Sequence, residues 1–112
     1  MKLYGNIIAG NRKQEKKGEN DNDEKKKRYT VVAFQHGKEV FRCEVENITK
    51  ANAMVKNLCK VAMKEKEDLM FSIYDKKNAL EIANGDYWKG HNYYYYSDMR
   101  NDEFFKVNMH LD

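Results

Sequence analysis

The chain has 112 residues, of which 35% are charged, 41% hydrophobic and 12% aromatic, and its formal net charge is +3. This length allows one small domain with an extension, and no apolar run approaches the roughly 18 residues that span a bilayer. The first residues lack the apolar segment of a secretory signal, and two cysteines are too few for a disulfide-stabilised fold. We therefore expect a cytoplasmic protein without disulfides that does not contact a membrane.

The first ten residues contain Tyr4, Ile7 and Ile8, and a long polar segment follows them. An isolated strand cannot satisfy its backbone hydrogen bonds, so residues 1–10 form either an extra strand of the main sheet or a tail. The sequence leaves both alternatives open and favours the strand.

Residues 11–28 predict a flexible linker with a basic excess. Between residues 12 and 28 there are eight Lys or Arg against five Asp or Glu, and no aliphatic or aromatic side chain. Such a segment buries too little apolar surface to offset the entropy of ordering it. Its last four residues are candidates for contacts with phosphates or an acidic partner: Lys25, Lys26, Lys27 and Arg28. Neighbouring carboxylates partly cancel their field, and the alternative is a simple solvated charge run.

The segment that follows predicts a β-hairpin. Residues 29–34 are rich in β-branched and aromatic types, and Gly37 provides the positive φ of a tight turn. In residues 40–46, Phe41, Cys43 and Val45 alternate with charged side chains. This alternation indicates a sheet with one wet face, and we expect a helix on the other face.

That helix is predicted immediately after the hairpin, with Thr49 as its N-cap. Apolar residues then recur at helical spacing, in the order Ala51, Met54, Val55, Leu58, Cys59 and Ala62. Cys59 lies in this apolar stripe and Cys43 lies on the apolar face of a strand. Both are therefore expected to be core residues rather than reactive thiols.

The second half of the chain predicts further strands, in this order: strand 69–74, polar turn 75–78, strand 79–83, a type I′ turn at Asn84–Gly85, a short strand at Tyr87–Trp88, and a C-terminal strand within 104–111. The predicted fold class is α+β. It consists of an antiparallel sheet, with a β-β-α-β-β core plus a C-terminal strand, and one amphipathic helix packed on one face. We assign residues 29–112 to this single domain.

Four consecutive tyrosines at 93–96 must place two side chains on each face of a strand. We predict that Tyr93 or Tyr95 completes the core. The residues assigned to a partner-binding aromatic surface are then Tyr87, Trp88, Tyr94 and Tyr96. The alternative is that the outer pair of tyrosines merely covers the sheet.

The sequence provides no motif for catalysis, for a metal or for a cofactor. His36, His91 and His110 are far apart, and none stands beside a nucleophile or an orienting carboxylate. The chain lacks the metal-binding spacings CxxC and HExxH, and it also lacks the nucleotide-binding patterns GxGxxG and GxxxxGK[ST]. We predict no catalytic residue, no metal ligand and no cofactor, and we disfavour an enzyme.

Two functions remain. The first is a small interaction domain that binds a protein partner through Tyr and Trp side chains, with homodimerisation through an edge strand as a variant. The second is a nucleic-acid-binding module that uses the basic arm and the aromatics of the sheet. Residues 86–112 carry three Lys or Arg and five Asp or Glu, and this negative charge favours the protein partner.

The absence of proline and the abundance of Lys, Asn and Tyr are typical of AT-rich coding sequences. We therefore expect an accessory or regulatory protein of a low-GC bacterium, a phage or a mobile element.

Overall fold

The computed structural model describes residues 27–110, which form a six-stranded sheet and one helix. The elements are β1 (Tyr29–Gln35), β2 (Lys38–Val45), α1 (Ile48–Glu65), β3 (Leu69–Asp75), β4 (Leu80–Tyr87), β5 (Tyr93–Asp98) and β6 (Glu103–Asn108). The strand order is β2-β1-β3-β4-β5-β6, and every neighbouring pair is antiparallel. The predicted α+β class is confirmed. The strand or tail predicted at residues 1–10 and most of the predicted linker lie outside the described residues.

The β1–β2 hairpin has a two-residue loop. Gln35 pairs with Lys38, and the two loop residues, His36 and Gly37, both have positive φ. This backbone is the one that matches the twist of antiparallel strands, so the predicted turn is confirmed.

Helix α1 begins two residues earlier than the sequence indicated. Asn47, in extended conformation, is the N-cap, and its side-chain oxygen accepts a hydrogen bond from the Lys50 backbone N–H at 2.8 Å. The predicted cap, Thr49, already lies within the helix. Asn and Thr are both good caps, but capping at Asn47 makes Ile48 the first helical residue, where it packs against the core.

The core lies between α1 and one face of the sheet. The predicted apolar stripe of the helix is buried at Ala51, Val55, Leu58, Cys59 and Ala62. It packs mainly across β1 and β3. The sheet contributes buried side chains that include Val31, Ala33, Phe41, Phe71 and Ile73.

Asn84 and Gly85 lie inside β4, so the type I′ turn predicted there is wrong. Ser72 of β3 pairs with Asn84, and Tyr96 of β5 pairs with Gly85. A Cβ atom at Gly85 would lie 1.9 Å from the backbone oxygen of Tyr95. The glycine is therefore needed because β4 and β5 approach closely at this position, and Tyr87 ends the same strand rather than forming a new one.

Two turns of the sheet use the same local structure. The β3–β4 turn begins at Asp75 and the β5–β6 turn begins at Asp98. Each carboxylate accepts a hydrogen bond from the backbone N–H two residues later, at 3.0 Å in both turns, and from the asparagine side chain three residues later. The next residue, Ala79 or Asp102, has positive φ. These aspartates therefore stabilise turns, as short polar side chains commonly do.

Gly85→Ala is expected to destabilise the protein by about 1–3 kcal/mol or more, because the new methyl group overlaps a backbone oxygen that cannot rotate away. Urea denaturation measures the free energy of unfolding. Ser97→Ala on the neighbouring strand is the control and should change it by less than about 0.5 kcal/mol. Equal stability of the Gly85 variant and the wild type would contradict the close approach of β4 and β5.

Candidate interaction surface on the open face of the sheet

The face of the sheet opposite α1, which we call the open face, carries exposed apolar side chains. Trp88 follows β4 directly and is 55% exposed, and Phe104 of β6 is 68% exposed. Met70 on β3 is also exposed. Large apolar side chains gathered on one face of a small domain are typical of contact surfaces.

The tyrosine run alternates between the two faces in the opposite sense to the prediction. Tyr94 and Tyr96 are 3% and 6% exposed and lie on the helix-covered face, where both rings lie 5.9 Å from the ring of Phe71. Burial raises the pKa of both hydroxyls. The Tyr96 hydroxyl donates a hydrogen bond to Asn52 Oδ1 of α1 at 2.5 Å.

The register of β5 explains this reversal. Because Asp86 pairs with Tyr95 and Gly85 pairs with Tyr96, Tyr96 shares the helix face with Phe71, the partner of Gly85 on β3. A run of identical residues carries no alternation of its own, so the sequence did not determine which pair faces the core.

Tyr87 is also a core residue, at 1% exposed, and its hydroxyl donates a hydrogen bond to the His91 backbone oxygen at 2.7 Å. The structure therefore places three of the four predicted partner-binding residues, Tyr87, Tyr94 and Tyr96, inside the protein. Only Trp88 of that set lies on the surface.

The half-buried Tyr93 and Tyr95 belong instead to a row of contacting rings on the open face, in which Tyr93 and Tyr95 meet edge to face. The row contains His91, Tyr93, Tyr95 and Phe104, with successive ring centroids 4.9, 5.6 and 5.5 Å apart. We call these four residues the aromatic ladder. Trp88 packs edge-on against Tyr95, at 6.4 Å between the ring centroids.

Sequence reasoning named Trp88 but missed the other members of this surface. The signal that could have found Phe104 is the adjacent pair Phe104–Phe105, because two consecutive aromatics in a strand must place one ring on each face.

A shallow groove of about 540 Å³ lies beside the aromatic ladder. Its floor is made of three short polar side chains in register on β3, β4 and β5, namely Ser72, Asn84 and Ser97. The groove arises because these short residues stand among longer ones. The bounding side chains are Phe34, Met70, Glu81, Asp86, Tyr95 and Phe104.

A second depression, of about 390 Å³, continues toward Trp88 and shares Met70 and Asp86 with the groove. Asp86 and Glu81 are half-buried, and neither is in any ion pair formed among residues 27–110. Hydrogen bonding to Tyr93, and also the negative charge of Asp86, raise the pKa of Tyr95. The open face is therefore aromatic and locally acidic.

Only two of the four residues in the predicted basic cluster belong to the described part of the chain. Lys25 and Lys26 lie outside the described residues, and Lys27 is half-buried. The guanidinium of Arg28 donates two hydrogen bonds to the buried carboxylate of Asp75, at 2.8 and 2.7 Å. Arg28, the last residue of the predicted linker, is thus bound to the end of β3, and its positive charge is paired with the carboxylate of Asp75.

The side chains that could act in catalysis or bind a metal lie on different elements of the fold. His36 lies 3.3 Å from Glu67 Oε1 on an exposed loop, and His91 belongs to the aromatic ladder. Both cysteines are buried free thiols, and burial raises the pKa of Cys59. Within residues 27–110, no three His, Cys, Asp or Glu side chains are grouped closely enough to hold a metal ion.

In the part of the chain that the structure describes, the helix is not apolar enough to cross a membrane. Comparison with known proteins found no matching family model, no significantly similar curated protein and no significantly similar solved structure. Function is therefore inferred from the surface itself.

Tyr94→Ala is expected to cost about 3–5 kcal/mol of unfolding free energy, because it leaves a cavity among buried rings. Tyr93→Ala, at the neighbouring half-exposed position, should cost only about 1 kcal/mol. Urea denaturation of both variants tests the assignment of the two faces. A larger loss at Tyr93 than at Tyr94 would show that the assignment is reversed.

Asp75→Asn should destabilise the protein most at neutral pH. The Arg28 guanidinium holds the pKa of the Asp75 carboxyl below its usual range. A lowered pKa stabilises the folded state above the unfolded value of about 4, and this contribution is lost as the pH falls below it. The difference in unfolding free energy between wild type and variant should therefore shrink from pH 7 to pH values near 3.

Glu39→Gln is the control, because it removes an exposed ion pair with Arg42. It should change stability much less than Asp75→Asn at pH 7. A difference between wild type and Asp75→Asn that does not depend on pH would contradict the role of the ionised carboxylate.

Proposed function

We propose that this protein is a non-catalytic interaction domain that binds a protein partner through the open face of its sheet. The contact surface consists of the aromatic ladder, Trp88 and the adjacent groove. The observation that carries the proposal is the exposure of Trp88 and Phe104, which flank Tyr95 on a face that the helix does not cover.

Rigid aromatic side chains support this function energetically. Aromatic side chains bury a large area while losing few rotatable bonds, and Trp and Tyr dominate binding energy at many protein interfaces. Tyr95 is held in place by three neighbouring rings, those of Tyr93, Phe104 and Trp88. Little conformational entropy is therefore lost when a partner covers this surface.

The charges favour a protein over a nucleic acid. Aromatic rings on a sheet also stack on unpaired bases, but a nucleic-acid surface needs cations that track the backbone. Here Asp86 and Glu81 border the groove, Arg28 is bound to Asp75, and Lys106 lies over the ring of Tyr93. Phosphates brought to the groove would meet carboxylates and no Lys or Arg in its lining.

The variant in which two copies pair through an edge strand stays a prediction. β6 lies at one end of the strand order, as that prediction requires. Phe104 and Phe105 are exposed along it. No further observation among the described residues favours a second copy over another protein.

Trp88→Ala and Phe104→Ala are expected to weaken partner binding by about 30-fold or more each, as loss of a central aromatic anchor of about 2 kcal/mol implies. The tagged full-length protein and each variant are used to capture partners from the native host. A captured partner is then purified, and its affinity is measured by titration.

Met99→Ala is the matched control, since Met99 is an exposed apolar residue in the β5–β6 turn and belongs to neither the ladder nor the groove. Equal binding by Trp88→Ala, Phe104→Ala and Met99→Ala would refute the open face as the binding surface. Fluorescence-anisotropy titration with single-stranded and duplex DNA and RNA is run in parallel at about 50 and 200 mM salt. Binding that survives the higher salt and weakens in Trp88→Ala would replace the proposal with nucleic-acid recognition.

A further inference from the structure

Asp86 occupies the position on the open face where two depressions meet. It lines both the larger groove and the smaller depression beside Trp88. Its cross-strand neighbours are Met70 on β3 and Tyr95 on β5. The carboxylate therefore lies between an apolar side chain and an aromatic ring.

The larger groove has no basic side chain of its own. Its lining contains two carboxylates, Asp86 and Glu81, and no Lys or Arg. Glu81 is 3.4 Å from the side-chain nitrogen of Asn84, a neutral group. The nearest basic residue on the cross-strand row of Asp86 is Lys106, which pairs with Tyr95 and lies over the Tyr93 ring at 4.7 Å.

An aromatic ring lies beside Asp86, because Tyr95 is its cross-strand neighbour on β5. Tyr95 and Phe104 are stacked nearly parallel, at 5.5 Å between centroids and 17° between planes, and both line the groove with Asp86. A ring face attracts a cation, and a carboxylate accepts the two parallel N–H bonds of a guanidinium. Arginine suits both groups better than lysine, because its planar guanidinium is weakly hydrated and stacks on rings.

We propose that the groove between Tyr95, Glu81 and Asp86 receives an arginine side chain of the protein partner, with Asp86 accepting its guanidinium and the aromatic ladder covering its flat face. This inference rests on the proposed function and specifies the chemistry of the partner. The volume of about 540 Å³ accommodates the arginine together with neighbouring partner residues. The short side chains of Ser72, Asn84 and Ser97 leave this space open.

The direct test uses the acetylated, amidated tripeptide Gly-Arg-Gly as a probe for the full-length protein. Amide shifts in a ¹H–¹⁵N correlation spectrum should saturate at millimolar peptide and be largest at Asn84, Asp86, Tyr95 and Ser97. The same tripeptide with citrulline, which keeps the shape of arginine but lacks its charge, should bind about tenfold more weakly. Equal shifts with both peptides, or shifts spread over the whole protein, would overturn the proposal.

Asp86→Asn should weaken binding of Gly-Arg-Gly by about tenfold, as loss of a charge-assisted hydrogen-bond pair implies. Glu65→Gln is the matched control, because it removes one carboxylate from α1, on the opposite side of the sheet. Circular dichroism and thermal unfolding should show that both variants keep the fold.

The partner-capture experiment separates the two proposals. A partner that loses affinity in Trp88→Ala and in Asp86→Asn supports both. A partner that loses affinity in Trp88→Ala but binds Asp86→Asn as well as wild type overturns the arginine site and leaves the proposed interaction surface intact. Unchanged binding by Trp88→Ala and Phe104→Ala overturns the proposed function itself.

Discussion

A single helix covers the sheet in the described part of the chain, and most of the structure follows from this constraint. Six strands at about 4.8 Å spacing span about 24 Å, whereas a helix is about 10 Å across with its side chains. Helix α1 packs mainly over β1 and β3, toward one side of the sheet. Large side chains of the sheet itself must therefore cover the core at β5, and Tyr94 and Tyr96 do so. The hydroxyl of Tyr96 reaches α1 at Asn52.

The same constraint leaves the second face of the sheet without a helix over it in the described part of the chain. That face is built from the alternate residues of the same strands, so each core residue on β5 has a neighbour that points outward. Tyr95 supplies a half-buried ring on this face, while Asp86 opposite it supplies a negative charge. Interfaces commonly combine a desolvated aromatic anchor with charged groups that select the partner, and the open face offers both within one cross-strand row.

Local patterns predicted the hairpin and the buried stripe of α1, because the alternation in β2 and the helical spacing after Asn47 carry their own periodicity. Which tyrosines of residues 93–96 face the core could not be predicted in this way, because four identical residues show no alternation of polar and apolar types. Their placement depends on the register of β5 with β4, in which Tyr96 pairs with Gly85. Gly85 itself was misassigned, since Asn-Gly is a strong turn signal and the close approach of Tyr95 is a tertiary contact that the local sequence does not contain. The role of Arg28 was missed for the same reason, because its partner Asp75 lies 47 residues further along the chain.

The strand order also determines how the chain must assemble. Four of the five strand pairings join consecutive strands, and β1–β3 is the exception, with Val31 paired to Ile73 across the whole of β2 and α1. Consecutive hairpins close short loops and form quickly, whereas the β1–β3 pairing must overcome the loop-closure entropy of the intervening chain. Helix α1 packs on both of these strands, so burial of its apolar stripe helps to offset that entropy. The β1–β3 pairing is therefore the strand pairing of this sheet that costs the most chain entropy to form.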